Sequence, residues 1–340
     1  MSLARTYRNL TPTRWLVRLA CAGLMGLSLQ ALADDRSVSM VFVGDVMLAD
    51  KVGQGIRDGH DPLRPFATIL KQSDIRIANL ECVVATVGEA VEDKPYTFRA
   101  HPRVLPLLKR HVDAVSLANN HTGDFGHGAF KQMLQLLQKA KIPYVGGGMD
   151  LNEAHQPLIF ERQGLRIALL AYNEFFPRSF EADVDRSGHA WSDDEQVQAD
   201  IRDARVKHHA DLVITFMHWG FENESRSNAR QQQLARWMID AGADAVIGSH
   251  PHVTQEMAVY KDKPVFYSLG NFVFDGFTGK DNNTGWVVRL NMNKTGVTSA
   301  TVHEAHIDKR GTPRPASAKP RYCWQQGEAL LRLCAAPLAK

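Results

Sequence analysis

The stretch Ser39-Met40-Val41-Phe42-Val43-Gly44-Asp45 decides the fold: an apolar run without helical spacing that stops at a glycine and a carboxylate. A run this short, bounded by a turn residue, reads as a buried strand. The same grammar recurs. Residues 75–78 run into Asn79-Leu80-Glu81, residues 114–118 into Asn119-Asn120-His121 with Asp124 beyond, and residues 212–216 into His218-Trp219-Gly220. Residues 245–247 lead to Gly248-Ser249-His250-Pro251-His252, and residues 264–268 to Gly270-Asn271. Helical patterns lie between. Met133, Leu134, Leu137 and Ala140 share one face over 130–140, Leu234, Trp237, Met238 and Ala241 do so over 231–241, and residues 193–209 read as a polar surface helix. Strands alternating with helices make an α/β protein. Hairpins over 157–171, turning at Gln163-Gly164, and over 286–306, turning at Lys294-Thr295-Gly296, add antiparallel strands, so the sheets should be mixed.

With 44 % apolar and 23 % charged residues, a packed core is expected rather than disorder. Residues 1–33 stand apart. Arg5, Arg8, Arg14 and Arg18 form a basic start, residues 19–29 are uncharged and mostly apolar, and Ala31-Leu32-Ala33 offers small residues where a signal peptidase reads. A cleaved secretory signal is the expectation, with Asp34 starting a periplasmic or secreted protein. The alternative is an uncleaved membrane anchor, although Arg18 interrupts the roughly 20 apolar residues that a span needs. Without those four arginines the net charge moves from +3 to −1, which leaves no basic surface for nucleic acid. In an oxidising compartment Cys323 and Cys334 could pair and tie down a terminal helix. Cys82 then remains, open to reading as a nucleophile or as a small buried strand-end residue. Residues 34–310 read as the main domain, and the Pro- and Ala-rich residues 311–320 as an exposed connector into a C-terminal extension, 311–340.

Ligands of open α/β sheets bind outside the carboxyl ends of the strands. Each strand-end group is bland alone, since an aspartate there often serves a turn. Their repetition is not: imidazoles, carboxylates and amides take equivalent places at one strand end after another. Imidazole, carboxylate and amide oxygen together suit a divalent transition metal such as Mn, Fe or Zn, and the lack of a cysteine cluster excludes a zinc knuckle. Asp124-Phe125-Gly126 spells a kinase tripeptide, but no Gly-rich loop or strand lysine accompanies it.

Taken in order, Val43-Gly44-Asp45-Val46-Met47-Leu48, Asn79-Leu80-Glu81, Asn119-Asn120-His121-Thr122-Gly123-Asp124, His218-Trp219-Gly220, Gly248-Ser249-His250-Pro251-His252-Val253 and Ser268-Leu269-Gly270-Asn271-Phe272 resemble the bacterial capsule synthesis (CapA, or poly-γ-glutamate biosynthesis) family. That family looks like a branch of the calcineurin-like metallophosphoesterases. The resemblance implies a four-layer α/β/β/α sandwich holding one or two metal ions. It implies that Asp45, Glu81, Asn120, His218, His250 and His252 are ligands, with Glu81 bridging, and that His121, held by Asp124, contacts the reacting oxygen. Glu222 would orient a ligand or be a solvated loop acid. Arg99 would pair with an anionic substrate or form a surface salt bridge, and Asn271 would contact substrate.

Two departures matter. Met47 stands where phosphoesterases place a first-motif histidine, and Glu81 replaces a shorter aspartate. The first ion then keeps Asp45, Glu81 and His252, and the second keeps Glu81, Asn120, His218 and His250. Three readings stay open: a metal-dependent hydrolase of a phosphoester, amide or related bond; a factor that binds or exports an anionic polymer, in contact with a membrane synthesis complex; and a module whose metal is structural.

Overall fold

The computed structural model describes residues 36–175 and 178–334; the leader expected over residues 1–33 lies outside them. The first apolar run is the strand Val38–Val46. Its period-two alternation sends Val38, Met40 and Phe42 to one face and Val41 and Val43 to the other, and both faces are buried because both are covered.

Two sheets stack face to face. The first runs Arg332–Leu333, Tyr322–Gln325, Gly296–Ile307, Thr284–Asn293, Val38–Val46, Ile75–Leu80, Ala114–Ser116, Tyr144–Val145. The second runs Met257–Tyr260, Lys263–Phe266, Ala245–Ser249, Leu212–His218, Leu165–Asn173, Leu158–Arg162. Central pairings are parallel and the hairpins antiparallel, so both sheets are mixed. Between them Met40, Phe42, Ile77, Ile167, Ile214, Phe216, Ile247 and Phe266 form one core. Helices Asp50–Arg57, Leu105–His111 and Gly126–Ala140 cover the outer face of the first sheet through Val52, Leu108, Phe130 and Leu137. Helices Asp194–Val206 and Ala229–Ala241 cover the second through Val197, Ile201, Leu234 and Met238. This is the α/β/β/α sandwich.

The local signals have local causes. Gln163 and Gly164 both take positive φ, 51° and 73°, the geometry of a tight two-residue hairpin turn. Helix Ala229–Ala241 starts at a reciprocal cap between Asn228 and Gln231. The polar helix Asp194–Val206 is capped by Asp193, yet it buries an apolar stripe on the second sheet.

The terminal helix is a correction. Cys323 and Cys334 are disulfide-bonded, but the bond ties strand Tyr322–Gln325 to the residue just past its antiparallel partner Arg332–Leu333. Alternation decides it: Trp324 points into the core between the sheets, while Cys323 and Gln325 flank it. The connector is also partly structured, since Pro313–Pro315 pairs with Ala305–Ile307. Cys82 is free and fully buried, and burial pushes its thiol up to about 12, so at neutral pH it is a protonated packing residue. Among the described residues no helix is long and apolar enough to cross a membrane.

Candidate metal centre

Strand register assembles the site. Asp45 lies beside Asn79 on one side and Asn271 on the other. His218 lies between Asn173 and Ser249. The two groups end the two sheets at the same edge. Close backbone approach there needs glycine: a Cβ on Gly44 would stand 1.8 Å from Gly270 O, and one on Gly248 2.0 Å from Tyr267 O. His250 and His252 hold positive φ, 100° and 57°. Such strain in non-glycine residues concentrates at functional sites.

Asp45, Glu81 and His252 each offer a donor atom within 4.8 Å of the others, and all three are buried. The remaining ligand candidates adjoin them. His218 Nε2 is 2.7 Å from Asn120 Oδ1, 3.1 Å from His250 Nδ1 and 4.0 Å from Glu81 Oε1. His252 Nε2 is 3.7 Å from the same Glu81 oxygen. Glu81 Oε1 is buried without a hydrogen-bond partner, as is His250 Nε2. A buried carboxylate oxygen rarely stays orphaned, and this one lies between two imidazoles. The donor set and the orphaned atoms fit a divalent ion.

Hydrogen bonds fix which nitrogens are left free to face an ion. Asn271 gives its N–H groups to carbonyls of Asn282 and His252, so its Oδ1, 2.8 Å from His252 Nδ1, accepts the Nδ1 proton and leaves the Nε2 lone pair toward Glu81. Ser249 Oγ stands 3.1 Å from His218 Nδ1 and holds that ring from behind. Burial, and then the neighbouring imidazoles, keep His218 and His250 well below their ordinary value, so both are neutral at pH 7. Burial and the Asp45 carboxylate push Glu81 well above the usual carboxylate range; a cation reverses that.

Beside the cluster, His121 Nδ1 lies 2.8 Å from Asp124 Oδ2, with Phe98 against the ring at 4.4 Å. Burial lowers the His121 pKa, against the pull of Asp124. Asp124 also accepts from the Phe98 amide at 2.6 Å and is ion-paired with Lys94, which donates to Asn120 O at 2.6 Å.

Two expectations are corrected, and for a third the structure selects one of two alternatives. Arg99 is exposed, donates to Gly88 O and Val87 O and lies over the Phe125 ring; it staples a loop, and the cation beside His121 and Asp124 is Lys94. Asn271 is fully buried against His252 and orients that ring instead of facing substrate. Glu222 is exposed and makes no hydrogen bond to a candidate ligand, which is the solvated loop acid of its two readings, although its charge adds to the rise of Glu81; Asn271 and Ser249 hold the histidine rings. Asn79 and Ser249 had a signal, each lying within two residues of a candidate ligand. Lys94 had none, because Glu92-Asp93-Lys94-Pro95 reads as a solvated turn.

An α/β/β/α sandwich with carboxylates and imidazoles gathered at one edge is a metallophosphoesterase-like fold. A solved 5'-nucleotidase precursor from Thermus thermophilus shares the fold at a TM-score of 0.50 and 10 % identity, over 82 % of this chain and only 56 % of that one. The chain belongs to the bacterial capsule synthesis protein PGA_cap family, whose model matches residues 39–276. It is 34 % identical to the PGA biosynthesis protein CapA of Bacillus subtilis, over 83 % of this chain and 74 % of that protein. To the capsule biosynthesis protein CapA of Bacillus anthracis it is 31 % identical, over 84 % and 71 %. A probable polyglutamine synthesis accessory protein of Mycobacterium tuberculosis is 31 % identical, over 70 % and 67 %.

Proposed function

We propose that the protein is an exported, metal-dependent hydrolase that handles an anionic exopolymer of the poly-γ-glutamate kind, cleaving an amide, phosphoester or related bond. The observation that carries this reading is Glu81 Oε1, buried, orphaned and between His218 and His252. Asp45, Glu81 and His252 would hold one divalent Mn, Fe or Zn ion; Glu81, Asn120, His218 and His250 would hold the other, or the only one. A bound ion supplies Lewis-acid polarisation of the scissile group. His121 would carry the proton: Asp124 holds Nδ1–H, which leaves the Nε2 lone pair to take a proton from the attacking water and return it to the leaving atom. Export is supported by the Cys323–Cys334 disulfide, which persists in oxidising compartments.

A second reading, a non-catalytic polymer-binding or export factor working with a membrane synthesis complex, is favoured by Met47. Its side chain is fully buried and its sulfur accepts the Ala49 amide at 3.1 Å, so the first-motif position donates nothing to an ion. Elemental mass spectrometry of the purified chain, of His218→Ala and of His250→Ala tests the centre. Transition metal near stoichiometry, lost in both variants, supports it; no uptake of Mn, Fe or Zn by the wild type sinks the hydrolase. Replacement of His121 with metal retained then separates the readings, because only the hydrolase loses turnover.

A further inference from the structure

Asn79 is 1 % exposed, midway between the two carboxylates of the centre, and belongs to none of the ligand assignments. Its amide orientation is determined by a chain of bonds that ends on backbone. Asn119 Oδ1 accepts the His121 N–H at 3.0 Å, and Asn119 Nδ2 donates to Leu80 O at 2.9 Å. A backbone N–H only donates and a carbonyl only accepts, so Asn119 cannot be flipped. Its Nδ2 also meets Asn79 Oδ1 at 3.0 Å, so that atom is the Asn79 oxygen. The Asn79 NH2 group must therefore face the carboxylates, and it spends both hydrogens there: 2.8 Å to Asp45 Oδ1 and 3.2 Å to Glu81 Oε2. Its 3.3 Å approach to His218 Nδ1 is left without a hydrogen to share.

Resting on the reading of this cluster as a metal centre, we infer that Asn79 is its positioning residue: an amide locked by Asn119 pins one oxygen of Asp45 and one of Glu81, and thereby turns Asp45 Oδ2 and Glu81 Oε1 to the ion. Each carboxylate is split into a held oxygen and an offered one. One neutral donor also lets two buried acids stand side by side. An aspartate at position 79 would be nearly isosteric but would remove both donated hydrogens and add a third buried negative charge, which only a cation could offset.

The test is Mn2+ binding by calorimetry to the purified, chelator-treated chain, with melting curves with and without Mn2+, for wild type, Asn79→Ala and Asn79→Asp. Asn79→Ala should melt cooperatively yet bind Mn2+ about 10- to 100-fold more weakly, the usual loss for an outer partner of a ligand. Asn79→Asp should melt below wild type when metal-free, and Mn2+ should raise its Tm by more than it raises that of wild type. If Asn79→Ala does not fold, the isosteric Asn79→Asp decides alone. Affinity of Asn79→Ala within threefold of wild type, or an Asn79→Asp response to Mn2+ equal to wild type, overturns the role of Asn79 and leaves the centre standing. A wild type that shows neither heat nor Tm shift with Mn2+ overturns the centre, and this inference with it.

Discussion

The two sheets contribute different chemistry to one site. The first supplies oxygen: Asp45 lies near the end of one of its strands, and Glu81 and Asn120 follow two others. The second supplies nitrogen: His218 ends one of its strands, and His250 and His252 follow the next. Neither sheet alone holds a mixed donor set, so the centre exists only while the sheets are packed. Without an ion the halves also carry opposite penalties, a carboxylate reluctant to ionise and imidazoles reluctant to protonate.

The largest expected effect tests the dependence on packing. Phe42 of the first sheet and Phe216 of the second meet edge to face at 5.5 Å, both buried. Phe216→Ala should cost about 3–5 kcal/mol in urea unfolding and should weaken Mn2+ binding. Phe130→Ala, in the outer helical layer, should cost a similar amount and leave Mn2+ binding near wild type. Equal losses of Mn2+ affinity in both variants would break the two-sheet account.

The pH dependence of the chelated protein follows next. His218, His250 and His189 are depressed from 6.5, His189 to about 4 by burial. Below pH 6.5 the unfolded chain takes up protons that the fold refuses, so stability is lost as pH falls; His189 alone accounts for about 3 kcal/mol between 6.5 and 4. Glu81 is raised from 4.5, so the fold keeps a proton that the unfolded chain releases, and stability is lost as pH rises above 4.5. The imidazoles outnumber the carboxyl, which places the optimum near pH 6.5 in a urea or thermal series. Saturating Mn2+ should move the optimum upward. An optimum unmoved by Mn2+ would mean that the two penalties do not meet at one ion.

Asp45→Asn sharpens the carboxylate half by a change of sign. Removing the charge that repels Glu81 should stabilise the chelated protein by about 1 kcal/mol and destabilise the Mn2+-loaded one. Destabilisation in both states would make Asp45 a structural acid. The smallest effect concerns the imidazole half. At φ 100° His250 is strained, so His250→Gly should be about 1 kcal/mol more stable than His250→Ala in chemical denaturation. Equality would mean that the loop relaxes freely.

Much of this molecule was legible in its residues. The apolar runs, the Gln163-Gly164 turn and the polar strand ends are patterns within a few positions, and steric rules fix them locally. Arg99 and Asn271 were misjudged for a different reason. A side chain's direction depends on partners far away in the chain: Asn271 answers to His252, and Arg99 to the carbonyl of Gly88. The terminal helix was misjudged because a disulfide constrains a helix or a hairpin equally well.

The sequence by itself determined the α/β alternation, the family and the set of strand ends that carry donors, because period-two burial and turn chemistry are properties of short segments. Only the tertiary structure decided that oxygen and nitrogen donors meet, that Asn119 locks Asn79, and that Lys94 reaches Asp124. Asp45 and the His250 amide, 3.4 Å apart, are separated by 205 positions. No local rule spans that distance; the packing of two apolar sheet faces does.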